Sequence, residues 1–172
     1  LPIGIGIFMG ATYLLFSGLG DVLAKFSIDS ALENARLIQQ DLMREEQYGG
    51  NSFNIGTFDG TLSSALSLFP NAVFAGLYRP TLIESRNVVM IASGLENAIL
   101  IVLSAFVIFR IGLRRVWAIV RTNSLVVFSL IYSIFFAFVI GLTTSNFGAL
   151  VRFKIPLFPF FLSALVIIYF YD

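Results

Sequence analysis

Neither cysteine nor histidine occurs anywhere in the 172 residues of this chain. Disulfides, thiolate chemistry and histidine-ligated metal sites are therefore excluded, as is any histidine-based general acid or catalytic triad. No metal site and no cofactor is expected. Charge is scarce as well. Asp, Glu, Lys and Arg together make up 12% of the chain, about half the share found in an average soluble domain. A net charge of +1 gives a nucleic-acid partner no electrostatic support.

What the chain has instead is hydrophobicity: 58% of its residues are apolar and the mean hydropathy is +0.90. These residues are gathered into blocks near the ~20 residues that a helix needs to cross a bilayer. Spans are predicted at residues 2–19, 87–109, 124–142 and 155–171. The first run has no basic leader and no obvious small-residue cleavage site, so it reads as a spanning helix rather than a signal peptide. The chain starts at Leu1 without an initiator Met and ends just after an apolar run. The expectation is a single membrane domain over 1–172 that belongs to a longer polytopic protein. Its fold class is all-α: a transmembrane helical bundle of about four spans, with an external amphipathic helix and a re-entrant or interfacial segment.

Between the second and third spans lies Arg110-Ile-Gly-Leu-Arg-Arg-Val-Trp-Ala-Ile-Val-Arg121, with arginines at 110, 114, 115 and 121 and no acid. Short loops rich in Arg and Lys stay cytoplasmic, and Trp117 suits an interfacial anchor. The 110–121 loop is therefore assigned to the inside. The loop at 21–86 and the polar junction at 143–154 then fall outside. In the first span, Gly6 and Gly10 form a GxxxG pair that would let a partner helix approach closely, although glycine is also common in membrane helices generally.

The outer loop carries structure of its own. Ser30-Ala-Leu-Glu33 has the spacing of a capping box and opens a helix predicted to run to about residue 47. Ala31, Ala35, Ile38 and Leu42 would form its apolar face, available to the membrane surface or to other membrane subunits. Leu62–Tyr78 is apolar but interrupted by Pro70 and Asn71. Such a stretch suits an interfacial helix or a re-entrant hairpin sheltered by protein.

Ionisable residues outside the basic loop gather near the outer boundary: Arg79, Glu84, Arg86, Arg152 and Lys154, with Glu96 well inside the second span. A charge within a span usually faces protein or water. In a structural reading, Glu96 pairs with an arginine to lock the helices, and the remaining cations snorkel to headgroups. In a functional reading, the cluster holds an anionic ligand, because the planar fork of arginine can grip two oxygens of a phosphate or carboxylate. Glu84 or Glu96 would then be the catalytic candidate, a general base with its pKa raised by burial. Phe147 and Phe153 flank the polar junction, either as interfacial anchors or as walls of a sugar site.

Leu77-Tyr-Arg-Pro80 followed by Glu84 and Leu95-Glu-Asn97, together with Asn146-Phe-Gly-Ala-Leu-Val-Arg-Phe-Lys-Ile-Pro156, resembles the C-terminal part of polytopic bacterial inner-membrane proteins of surface-polysaccharide assembly. Repeat-unit polymerases are the best known of these. The resemblance covers roughly residues 60–170. It implies a multi-pass protein of the bacterial inner membrane that recognises a lipid-linked glycan. Arg79, Arg86, Asn146, Arg152 and Lys154 would be its substrate contacts, and Glu84 or Glu96 its acid or base. The chain departs from that family in having about four spans and no recognisable large periplasmic loop with paired arginines, which leaves catalysis open. The alternatives are a non-catalytic subunit of a larger membrane complex, docked through Gly6/Gly10 and the 30–47 helix, and a transporter or channel module.

Overall fold

The structure is a computed structural model, and it describes residues 27–44 and 51–171. The predicted first span with Gly6 and Gly10 lies outside the described residues. Every regular element among the described residues is helical, and the only sheet-like contact is an isolated antiparallel bridge between Ser52 and Asn146.

Two helices are long and apolar enough to cross a membrane: α4 (Val88–Ile111) and α6 (Ser124–Thr143). Asn87 caps the start of α4 by accepting from the Met90 amide at 2.9 Å. At 24 residues, α4 extends about 36 Å. Gly112, with φ +82, turns the chain at its far end. The arginine-rich stretch expected as a loop is instead helix α5 (Leu113–Thr122). Val116, Ile119 and Val120 face the core, while Arg114, Arg115, Trp117 and Arg121 stay exposed. That apolar stripe at helical spacing is what orders it.

The predicted fourth span, 155–171, is one helix but a short one, and a further helix precedes it within the expected polar junction. Residues 147–153 form α7 (Phe147–Phe153), and α8 (Leu157–Tyr169) follows at an angle of 62°. α8 alone has 13 residues, about 20 Å, and is too short to cross. Taken together, the bent pair would make a third crossing. The break falls at Lys154-Ile155-Pro156, and Pro156 directly precedes the first helical residue. α8 packs mainly on α6 and also touches α4. Asn146 and Phe147 lie near Asn51, and the Tyr171 carbonyl accepts from Arg115 of α5 at 3.0 Å.

Leu62–Tyr78 forms two short helices, α2 (Leu62–Ser67) and α3 (Phe69–Tyr78). Pro70 does not break α3; it sits in the first turn, where a missing N–H costs nothing. α3 and α6 make the most extensive helix contact of the structure. A Cβ added at Gly76 would lie 2.2 Å from the Ala137 carbonyl oxygen, and one at Gly141 would lie 1.9 Å from that of Ala72. Two small-xxx-small pairs, Ala72/Gly76 and Ala137/Gly141, thus bring the backbones together. α3 descends antiparallel to α6, and the chain then returns along α4. Pro80 meets Asn97, Thr81 and Leu82 lie against Gly94, and Ser85 bonds the Met90 carbonyl. This down-and-back path between two long helices is the shape of a sheltered hairpin.

The amphipathic helix α1 (Ile28–Leu42) is capped by Ser27, whose hydroxyl accepts from the Ser30 amide at 3.2 Å, not by Ser30. Glu33 pairs with Arg36 instead of reaching back to cap. The helix also ends at Leu42 rather than near residue 47. Its inward face is Leu32, Ala35 and Gln39, rotated from the expected Ala31–Ile38 stripe. The rotation has a clear cause. The Gln39 amide donates to the Leu142 carbonyl at 3.0 Å, one of the acceptors left free at the end of α6.

Candidate functional site

The hairpin, the start of α4 and the start of α7 enclose a groove at the Asn87 end of the molecule. Three clefts make it up, of about 370, 260 and 540 Å³. The first two share Arg79 and Glu84, and the second and third share Asn51, Met90 and Phe147. Arg79 is the cap residue of α3. Its guanidinium donates to Glu84 through Nε at 2.9 Å and also through Nη2. It lies 4.5 Å from the ring centre of Phe53 and 5.4 Å from that of Phe147, and the two rings stack on each other at 4.7 Å. The segment carrying Phe53 is held there by backbone bonds from the Phe53 amide to the Ser145 carbonyl and from the Phe147 amide to the Asn51 carbonyl.

Glu84 is engaged on both oxygens. Arg79 holds Oε1, while the Thr81 amide and hydroxyl donate to Oε2 at 2.9 and 3.0 Å. Burial works against its ionisation, but the bonds from Arg79 and Thr81 outweigh it and hold the carboxyl below the usual glutamate range. That shift runs opposite to the raised pKa expected of a buried base. Arg86 is exposed in the middle cleft, and Arg152 is exposed in the largest. Asn146 is buried and caps α7, its side chain accepting from the Gly148 and Ala149 amides.

Lys154 is not in the groove. It is fully buried, and its ammonium donates to the Arg79 carbonyl at 3.0 Å and to Oδ1 of Asn97. Asn97 in turn donates to the Pro80 carbonyl at 2.7 Å. Glu96, next along α4, is exposed on a different face, lining an apolar cleft of about 320 Å³ with Ile99, Leu103 and Phe158. Among the described residues it forms no salt bridge with Arg79, Arg86, Arg152 or Lys154, the cations expected to pair with it, although its charge acts on the Lys154 ammonium through space. The structure therefore brings together Arg79, Glu84 and Arg86 in one cleft, sets Arg152 in the adjoining one, keeps Asn146 and Lys154 as buried supports, and leaves Glu96 outside the groove.

Sequence reasoning missed Phe53, Asn51 and Thr81. The Thr81-Leu-Ile-Glu84 spacing carries a capping-box signal that could have tied Glu84 to Thr81. Nothing local in the sequence announces that Phe53 would stack on Phe147 across 94 positions of chain. Comparison with family models, curated proteins and solved structures finds no match.

Proposed function

We propose that the groove recognises the anionic head of a lipid-linked glycan at the outer face of the bacterial inner membrane, and that the chain is a component of surface-glycan assembly or export. The observation that carries this reading is the convergence of Arg79, Arg86 and Arg152 on one groove walled by aromatic and amide side chains. Guanidinium groups suit phosphate or carboxylate oxygens, while asparagines and stacked rings suit sugar hydroxyls and faces. The groove lies at the end of α4 opposite the arginines of α5. If those arginines stay cytoplasmic, the groove faces outward. The role assigned is recognition, because the Glu84 carboxylate is already ionised and bonded on both oxygens.

The test uses the full chain in nanodiscs with geranylgeranyl pyrophosphate as the probe and geranylgeraniol as its uncharged counterpart. The pyrophosphate should bind and the alcohol should not. Arg152→Ala should weaken binding about tenfold, on the scale of one charge-assisted hydrogen bond. Arg79→Ala should weaken it further, because it also releases Glu84. Equal affinity for the two probes would sink the reading.

A second reading, a non-catalytic subunit of a larger complex, draws on Glu96. This exposed carboxylate lies about 13 Å along an apolar helix, a position that calls for a protein partner in a bilayer. A parent chain that ignores the probe yet co-purifies with other membrane subunits would favour it.

A further inference from the structure

We propose that Lys154 is a positioning residue: its ammonium fills a monovalent-cation site at the carbonyl end of α3 and thereby sets Arg79 in the groove. The second half of this statement rests on the recognition role given to the groove; the first half does not.

Lysine is almost never fully buried unless paired, yet Lys154 is the largest fully buried side chain among the described residues. Among the described residues no carboxylate lies within salt-bridge distance of it, and the negative charge that acts on it is that of the exposed Glu96. Its ligands are those of a small bound cation: the Arg79 carbonyl oxygen at 3.0 Å, Oδ1 of Asn97, and the face of Phe158 with its ring centre 5.4 Å away. The backbone supplies further negative potential. α3 ends at Tyr78, and the carbonyl that the ammonium bonds belongs to Arg79, the cap residue of that negative helix end. Interrupted membrane helices use such carbonyl ends to coordinate small cations. Here the chain supplies the cation itself, as a compact point charge on a flexible stem.

The geometry also gives the ammonium something to control. Lys154 fixes the Arg79 carbonyl, and Asn97 fixes the adjoining Pro80 carbonyl. These two bonds fasten the turn of the hairpin to α4. The Arg79 side chain runs from that fastened backbone to Glu84 and Phe53. Without the ammonium, the Arg79 carbonyl and Oδ1 of Asn97 lose their donor, only the Asn97–Pro80 bond still holds the turn, and the turn should loosen from α4.

Lys154→Ala removes the equivalent of one propylammonium ion, so that ion can be returned as a solute, with n-propanol as the control that fills the same space without charge. The chain has no cysteine of its own. Ser93→Cys, a near-isosteric change at a buried position beside Gly94, therefore gives a single thiol that reports whether the hairpin has lifted from α4. In nanodiscs, Lys154→Ala should speed labelling of that thiol by a small methanethiosulfonate reagent severalfold and should abolish binding of geranylgeranyl pyrophosphate. Propylammonium should restore both, and n-propanol neither. The binding lost in Arg79→Ala should not return with propylammonium.

Labelling of Lys154→Ala at the parent rate would overturn the proposal, and so would equal rescue by n-propanol. If Lys154→Ala cannot be purified alone, it should be recovered when propylammonium is present throughout; recovery with neither solute would count against a cation site. The labelling measurement needs no ligand. A parent chain that ignores the pyrophosphate would therefore remove the recognition role and leave the cation site to be decided by labelling.

Discussion

Glu84 illustrates how one carboxylate can be committed before any ligand arrives. Its oxygens are divided between Arg79 and Thr81, and the net result is a carboxyl held below its ordinary value of 4.5. A group whose folded pKa is depressed contributes stability above its unfolded pKa and loses it as pH falls through the folded value. Thermal stability should therefore decline as pH drops from near 4.5 into the more acidic range. Glu84→Gln should be less stable at neutral pH and should lose much of that acid-side slope, as followed by melting in nanodiscs across a pH series. An unchanged slope would mean that other carboxylates carry the acid response. At this scale the sequence supplied the residue types but not the pairings. Arg79 and Glu84 are five apart and could be guessed as partners. Lys154 and Asn97 are 57 apart, and no local pattern links them.

The elements were easier to read where periodicity was long and harder where a single residue decided an end. α4 and α6 follow directly from runs of apolar residues with Asn87 and Asn123 as caps. α5 was obscured because its arginines suggested a loop, although Val116, Ile119 and Val120 already marked one helical face. The end of the polar junction at Lys154 marked where α8 begins, but nothing in the hydropathy showed that residues 147–153 of that junction would form α7 at an angle to it. Glycine had to be sorted by context as well. Gly6/Gly10 fit the familiar spacing, but the packing seam among the described residues uses Ala72/Gly76 and Ala137/Gly141. Gly76→Leu or Gly141→Leu must push two backbones apart, and each should destabilise the chain by about 3 kcal/mol, the upper part of the overpacking range. Urea or thermal unfolding in mild detergent would measure it. Gly112→Ala makes an informative contrast: its Cβ would meet nothing within 4 Å, so any cost there comes from φ +82 and not from crowding.

The whole molecule has two unlike ends. One carries the exposed arginines of α5; the other carries the groove, the Ser52–Asn146 bridge and the docked helix α1. With α4 about 36 Å long, these ends would meet opposite surfaces of a bilayer. Single thiols introduced by Ile83→Cys, at the groove end, and Arg114→Cys, at the other, should label from opposite sides of oriented membrane vesicles. Replacing Arg114, Arg115 and Arg121 together by glutamine should weaken that preference. Labelling of both positions from one side would rule out the opposed arrangement.

Composition and apolar run length determined that the described chain is helical, with helices long and apolar enough to cross a membrane, and they excluded cysteine and histidine chemistry outright. Those are properties of segments, fixed by local hydrophobicity and backbone hydrogen bonding. Which ionisable groups meet was decided only by the tertiary structure. Three-dimensional packing buried Lys154, turned Glu96 to another face and set Arg79 between Glu84 and Phe53. A charge settles wherever the fold offers compensating donors or acceptors, and those partners come from parts of the chain that only packing brings together.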